Sequence, residues 1–90
     1  EGHGMLFIYD TYVKPAFVMR DMNFSIDIIW IKDDRVLDIS KNLPLLKSPK
    51  NHIQYMPSSF INYVLEVPAG FSEKNNIHIG SAVHIRISKK

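Results

Sequence analysis

Two carboxylates stand where strand-forming apolar residues are expected. Asp27 interrupts the run Ile26-Asp27-Ile28-Ile29-Trp30-Ile31, and Glu66 interrupts Tyr63-Val64-Leu65-Glu66-Val67. An ionised carboxylate in such surroundings is costly unless it is hydrogen-bonded or paired. If both faced one pocket, their pKa values would be driven apart and they would divide acid and base roles, as in glycosidases and aspartic proteases. Glycoside chemistry would further require the carboxyl groups about 5 to 9.5 Å apart on one solvent-reachable face. The competing reading is structural, each acid being satisfied by backbone N–H groups, a hydroxyl or Arg20. Structural acids are the commoner kind, so this second reading is favoured.

A second constellation suits binding rather than catalysis. Arg20 and Asp21 follow Met19 at the end of a short apolar run, a forked donor beside an acceptor. At the rim of a cleft they would meet a ligand with Phe17 or Phe24 as the apolar wall. The Pro-containing segment 42–57 would border the same cleft, and its Tyr55 is one of three aromatics, with Tyr12 and Phe60, expected to be exposed. Phe17, Met19, Arg20, Asp21 and Tyr55 are therefore the candidate ligand-binding residues. The plainer alternative for Arg20 and Asp21 is a surface ion pair worth under about 1 kcal/mol.

Other chemistries lack their residues. With no cysteine, disulfides, iron–sulfur sites, thiolate zinc and cysteine nucleophiles are excluded. His3, His52, His78 and His84 show no metal-binding spacing, and zinc needs three or four convergent ligands, so no metal is expected. Ser58 and Ser59 lack a nucleophile elbow, and the four glycines form no phosphate-binding loop, so no cofactor is expected either. Eleven basic residues against nine acidic ones leave a net charge of +2, too small and scattered for a specific nucleic-acid face. The balance leans away from an enzyme. A carbohydrate or another protein's strand is the candidate partner.

These residues must be positioned by a small β-rich unit. Ninety residues, 46% hydrophobic and 22% charged, fit one soluble globular domain spanning the whole chain. No stretch approaches the roughly 20 apolar residues of a membrane-spanning helix. β-branched and aromatic runs punctuated by proline and glycine predict strands at 5–9, 16–19, 26–32, 35–40, 63–67 and 82–88. Asp33 and Asp34 make a hairpin turn between the third and fourth of these. Both faces of the first strand are expected to be buried, and 42–57 reads as one long loop. A single short helix is predicted near residues 70–76, ending at Asn75-Asn76, which suit a left-handed terminus. The fold class is all-β, with that one short helix.

Four blocks of the chain resemble the family called domain of unknown function 192. Gly2 to Tyr9 is similar to its G-M-L-F strand, and Phe17-Val18-Met19-Arg20-Asp21 to its F-W-M-K-N segment. Ile26 to Ile31 is similar to its L-D-I-I-F-I strand, and Tyr63 to Gly70 to its Y-V-L-E-L-P-A-G. Val18 departs from the family's tryptophan and Gly80-Ser81 from its Gly-Asp, which removes a carboxylate and any role resting on it. The resemblance implies a small curled, mostly antiparallel sheet or barrel-like fold with the short helix packed across it, in a family whose function is uncharacterised. The expected function is a non-catalytic binding or accessory module, with a hydrolase-like enzyme using Asp27 and Glu66 as the alternative. The resemblance also implies further strand-forming sequence ahead of the G-M-L-F block, so that this chain would be the larger C-terminal part of the domain. The expected consequence is an apolar sheet edge covered by another molecule, with association of copies through that edge as one outcome.

Overall fold

The strand β3 (Ile26–Lys32) carries the fold, because its residues are buried on both faces until Lys32 reaches solvent. The computed structural model describes residues 4–18, 24–43 and 54–86. Around β3 lie β1 (Met5–Val13), β4 (Arg35–Leu43) and β6 (Ile61–Pro68), in the spatial order β1-β6-β3-β4 with every pairing antiparallel. A separate two-stranded ribbon joins β2 (Phe17–Val18) to β5 (Gln54–Tyr55). One helical turn, α1 (Phe71–Lys74), follows β6. The fold is an open antiparallel sheet, all-β apart from that turn, and among the described residues it does not close into a barrel.

Alternation along β3 sends its large side chains to two cores. Ile26, Ile28 and Trp30 join Leu43, Ile61 and Val64 on the face covered by Phe17 and Tyr55 of the ribbon. Ile29 and Ile31 join Val36 and Val67 on the opposite face, covered by Phe71, Ile77 and Val83. We call these the ribbon face and the helix face. The aromatic residues of the ribbon face interlock edge to face: the Phe17 ring lies 5.3 Å from Phe7 and 5.4 Å from Trp30.

The β3–β4 hairpin turns at Asp33-Asp34, with Lys32 opposite Arg35. Asp33 takes φ 57°, a left-handed conformation that aspartate tolerates better than most residues and that matches the twist of a tight hairpin. The helix ends as its sequence predicts, with Asn76 at φ 55°.

Three local expectations change. In β1 only Phe7, Tyr9 and Val13 are partly covered, whereas Met5, Leu6 and Ile8 are exposed. The reason is position: β1 is an outer strand, and the elements covering each face lie over β3 and β6. The 42–57 segment is not one loop, since residues 42 and 43 belong to β4 and Gln54–Tyr55 form β5; residues 44–53 lie outside the described residues. Over 83–86 the predicted last strand keeps its alternation, Val83 and Ile85 half-buried between exposed neighbours, but forms no strand. Among the described residues it pairs with β4 through the single bridge of Ala82 and Arg35, and the antiparallel direction then carries it past the hairpin turn. Its hydrogen bonds accordingly stop at Val83 N–H to the Asp34 carbonyl, 2.8 Å.

Candidate functional site

Register decides what the two carboxylates can do together. Asp27 pairs with Val67, and Ile28 pairs with Glu66. Residues directly opposite share a face and successive residues alternate, so Glu66 lies on the ribbon face with Ile28 and Asp27 lies on the helix face. The sheet separates them. Among the described residues Asp27 and Glu66 therefore face opposite sides of the sheet and share no pocket, the geometry that the acid–base pair of a hydrolase would need.

Asp27 is a fully buried structural acid. Its Oδ1 accepts the Asn42 N–H at 2.8 Å, and its Oδ2 accepts the Ser72 N–H at 3.1 Å and the Ser72 hydroxyl at 2.7 Å. Two irregular features are tied by this one side chain. Between the pairs Ile26/Leu43 and Ile28/Ser40 the register shifts, so that Lys41 and Asn42 together oppose Asp27 in a bulge, with Asn42 at φ 52°. Meanwhile α1 begins at Gly70, which has no side chain to cap it, and Asp27 supplies from β3 the acceptor that an N-cap residue normally provides. Burial pushes the Asp27 carboxyl up, but the N–H of Asn42, the hydroxyl and N–H of Ser72 and the N–H of Gly70 together hold it below its usual value.

Glu66 sits differently. It is half-buried, its carboxyl is raised by burial, and no described residue donates a hydrogen bond to it. Beside it the start of β1 packs tightly: a Cβ built on Gly4 would lie 2.9 Å from the Glu66 backbone oxygen. Gly4, Met5, Phe24, Ile26, Glu66, Val67 and Pro68 enclose a pocket of about 220 Å³. Tyr9 lies on the same face, its hydroxyl pKa raised by burial and then by the charge of Glu66. The raised Glu66 pKa means that the native state holds the proton more tightly than the unfolded chain. The charged form therefore opposes folding increasingly as pH rises from the unfolded value through the folded one. Glu66→Gln should accordingly raise the melting temperature at pH 7 and leave it unchanged at pH 4, where both forms are largely neutral. Equal melting temperatures at both pH values would show that the carboxylate carries no such cost.

Of the candidate ligand-binding residues, Phe17 and Tyr55 are brought together as direct cross-strand partners. Both are half-buried, and Phe17, wedged between Phe7 and Trp30, serves the core first. Met19, Arg20 and Asp21 lie outside the described residues. Tyr12 and Phe60 are exposed, as expected. An unanticipated cluster occupies one end of the sheet: the Tyr12 hydroxyl donates to Asp33 at 2.7 Å, the Asp33 N–H donates to Asn62 at 2.8 Å, and Lys32 lies 5.4 Å from the Tyr12 ring centre. It joins β1, the hairpin turn and the start of β6, and only the completed sheet brings those residues into reach. The Ser81 hydroxyl, where the family resemblance expects aspartate, accepts the His78 N–H at 2.9 Å, so the local turn keeps a side-chain acceptor without the charge.

Residues 1–85 match the family model for domain of unknown function 192, described as "Uncharacterized ACR". The chain belongs to that family. Domain of unknown function 192 carries no assigned activity, and no curated protein matches this member of it. Two solved structures share its fold. One, a protein of unknown function from Novosphingobium aromaticivorans DSM 12444, has a TM-score of 0.73 and 27% identity over 86% of this chain and 53% of its own. The other, described as a "putative transcription regulator" from Sinorhizobium meliloti 1021, has a TM-score of 0.70 and 25% identity over 87% of this chain and 58% of its own. This member of the family thus spans little more than half the length of either neighbour.

Proposed function

We propose that this domain is a non-catalytic binding module that takes an extended protein strand along the outer edge of β1, a second copy of the chain being one such partner. The observation carrying this reading is β1 itself: nine residues long, last in the sheet order, with no partner on its outer side among the described residues. It also exposes Met5, Leu6, Ile8 and Tyr12. A long apolar edge presents unpaired N–H and C=O groups to an incoming strand, whose alternate side chains would rest on those residues. The ribbon pair Phe17 and Tyr55, together with Met19, Arg20 and Asp21, is the proposed second contact region.

The test uses an alternating valine–threonine octapeptide, an oligosaccharide and a concentration series of the chain alone, followed by amide NMR and sedimentation velocity. Peptide or self-association is expected to shift the amides of Met5–Val13. Ile8→Lys, which puts a charge on an already half-exposed position, should weaken either process at least about tenfold while leaving the spectrum dispersed. Shifts confined to Phe17 and Tyr55 with the oligosaccharide alone would replace the strand reading by a carbohydrate one.

A further inference from the structure

The pocket around Glu66 has a composition that strand docking does not call for. Its described lining is apolar, from Met5, Phe24, Ile26, Val67 and Pro68, with Glu66 as its one ionisable side chain. The register explains the convergence: Met5 of β1 and Ile28 of β3 both lie directly opposite Glu66, and Ile26 lies opposite Pro68. Among the described residues the end of the ribbon face is therefore an apolar bowl lined by a single carboxylate. Phe24 stands at its side with more than half of its surface exposed. At about 220 Å³ the space is below that of a drug-sized site and suits one ring or a short branched chain.

We infer that this pocket binds a small organic ammonium ion, a primary amine carrying an aromatic or branched apolar group. The ammonium would supply the opposite charge and the donors that Glu66 lacks among the described residues. The apolar body would cover Met5, Ile26 and Pro68, and the Phe24 ring would face either the ring or the cation. A neutral alcohol of the same shape would offer the half-buried carboxylate one donor and no opposite charge, and so would bind more weakly. An anion would be repelled. This inference does not depend on strand binding at β1, since it uses the ribbon-face floor rather than the outer backbone edge.

Benzylammonium and benzyl alcohol, matched in shape and differing in charge, test it on the 90-residue chain by amide NMR. Benzylammonium is expected to shift Met5, Phe24, Glu66 and Val67 in a saturable way, with benzyl alcohol about tenfold weaker. Glu66→Gln should reduce the benzylammonium affinity to that of the alcohol, and Ile8→Lys should leave it unchanged. Equal affinities for the two probes, undiminished binding to Glu66→Gln, or shifts mapping elsewhere would each overturn the inference. The probe comparison on the unmodified chain stands even if Glu66→Gln does not fold.

Discussion

Replacing Asp27 by alanine is expected to remove about 3–4 kcal/mol of stability. The substitution leaves the Asn42 N–H, the Ser72 N–H and the Ser72 hydroxyl without their acceptor. Each buried group so stranded costs about 1–3 kcal/mol, with some relief where water enters. At roughly 0.05–0.15 kcal/mol per residue the whole domain holds only about 5–13 kcal/mol, so the loss takes away a large part of the folding free energy. Urea unfolding would measure it. Hydrogen exchange should show where it falls, with faster exchange at Asn42 and over 70–77, because the bulge and the helix turn lose their common tether. Ser72→Ala should cost about 1 kcal/mol alone and much less in the Asp27→Ala background, since its partner is already gone. A loss under about 1 kcal/mol for Asp27→Ala would contradict the tethering role.

The pH dependence of the wild type has a defined sign. With its folded pKa depressed, Asp27 contributes stability that is fully present above the unfolded value near 3.8 and is lost as pH falls through the lower folded value. In that window the unfolded state binds more protons, so stability rises with pH. Asp27→Asn should flatten this part of the profile. Glu66, with its raised pKa, contributes a slope of opposite sign at higher pH, and Glu66→Gln removes that slope alone.

Asp27 and Glu66 also show how far the sequence could be read. That each acid breaks an apolar run is visible in the chain, as is the need for compensating partners. Whether the two acids meet is a matter of strand register, and a slip of one residue between β3 and β6 would have put Asp27 and Glu66 directly opposite each other. Nothing local fixes that parity. The tether is equally hidden, because Ser72 lies 45 residues from Asp27 and is an unremarkable serine within a short polar segment. The hairpin was legible because β-branched runs flank a two-residue polar turn, and the helix end because Asn75-Asn76 suits left-handed backbone. β5 was not, since two residues beside a proline-containing stretch carry no period, and their pairing with Phe17 and Val18 is supplied by the sheet beneath. Over 83–86 alternation does not amount to a strand for a geometric reason: it records a half-buried segment, whereas strand formation needs a partner that β4 stops providing at its turn.

Trp30→Ala is expected to be at least as damaging, at about 3–5 kcal/mol. Trp30 is fully buried in the middle of β3, and its indole N–H donates to the Ser40 hydroxyl at 3.0 Å. The cavity created would lie beneath Phe17, whose ring bridges Trp30 and Phe7. Among the described residues β2 and β5 pair over two positions, and this described part of the ribbon docks through that aromatic contact and Tyr55. Trp30→Ala should therefore loosen the ribbon before the four-stranded sheet unfolds, seen as faster exchange at Phe17 and Tyr55 in mild denaturant. Trp30→Phe keeps an aromatic ring at the position but removes the donor and some volume, and should cost less, about 1–2 kcal/mol. The chain contains one tryptophan, so wild-type unfolding can be followed by fluorescence, with circular dichroism reporting the variants. If Trp30→Ala unfolds ribbon and sheet in one step with the wild-type pattern of exchange, the ribbon is an integral part of the core. If the ribbon loosens first, it is a separable layer, and access to the ribbon face can change without opening the sheet.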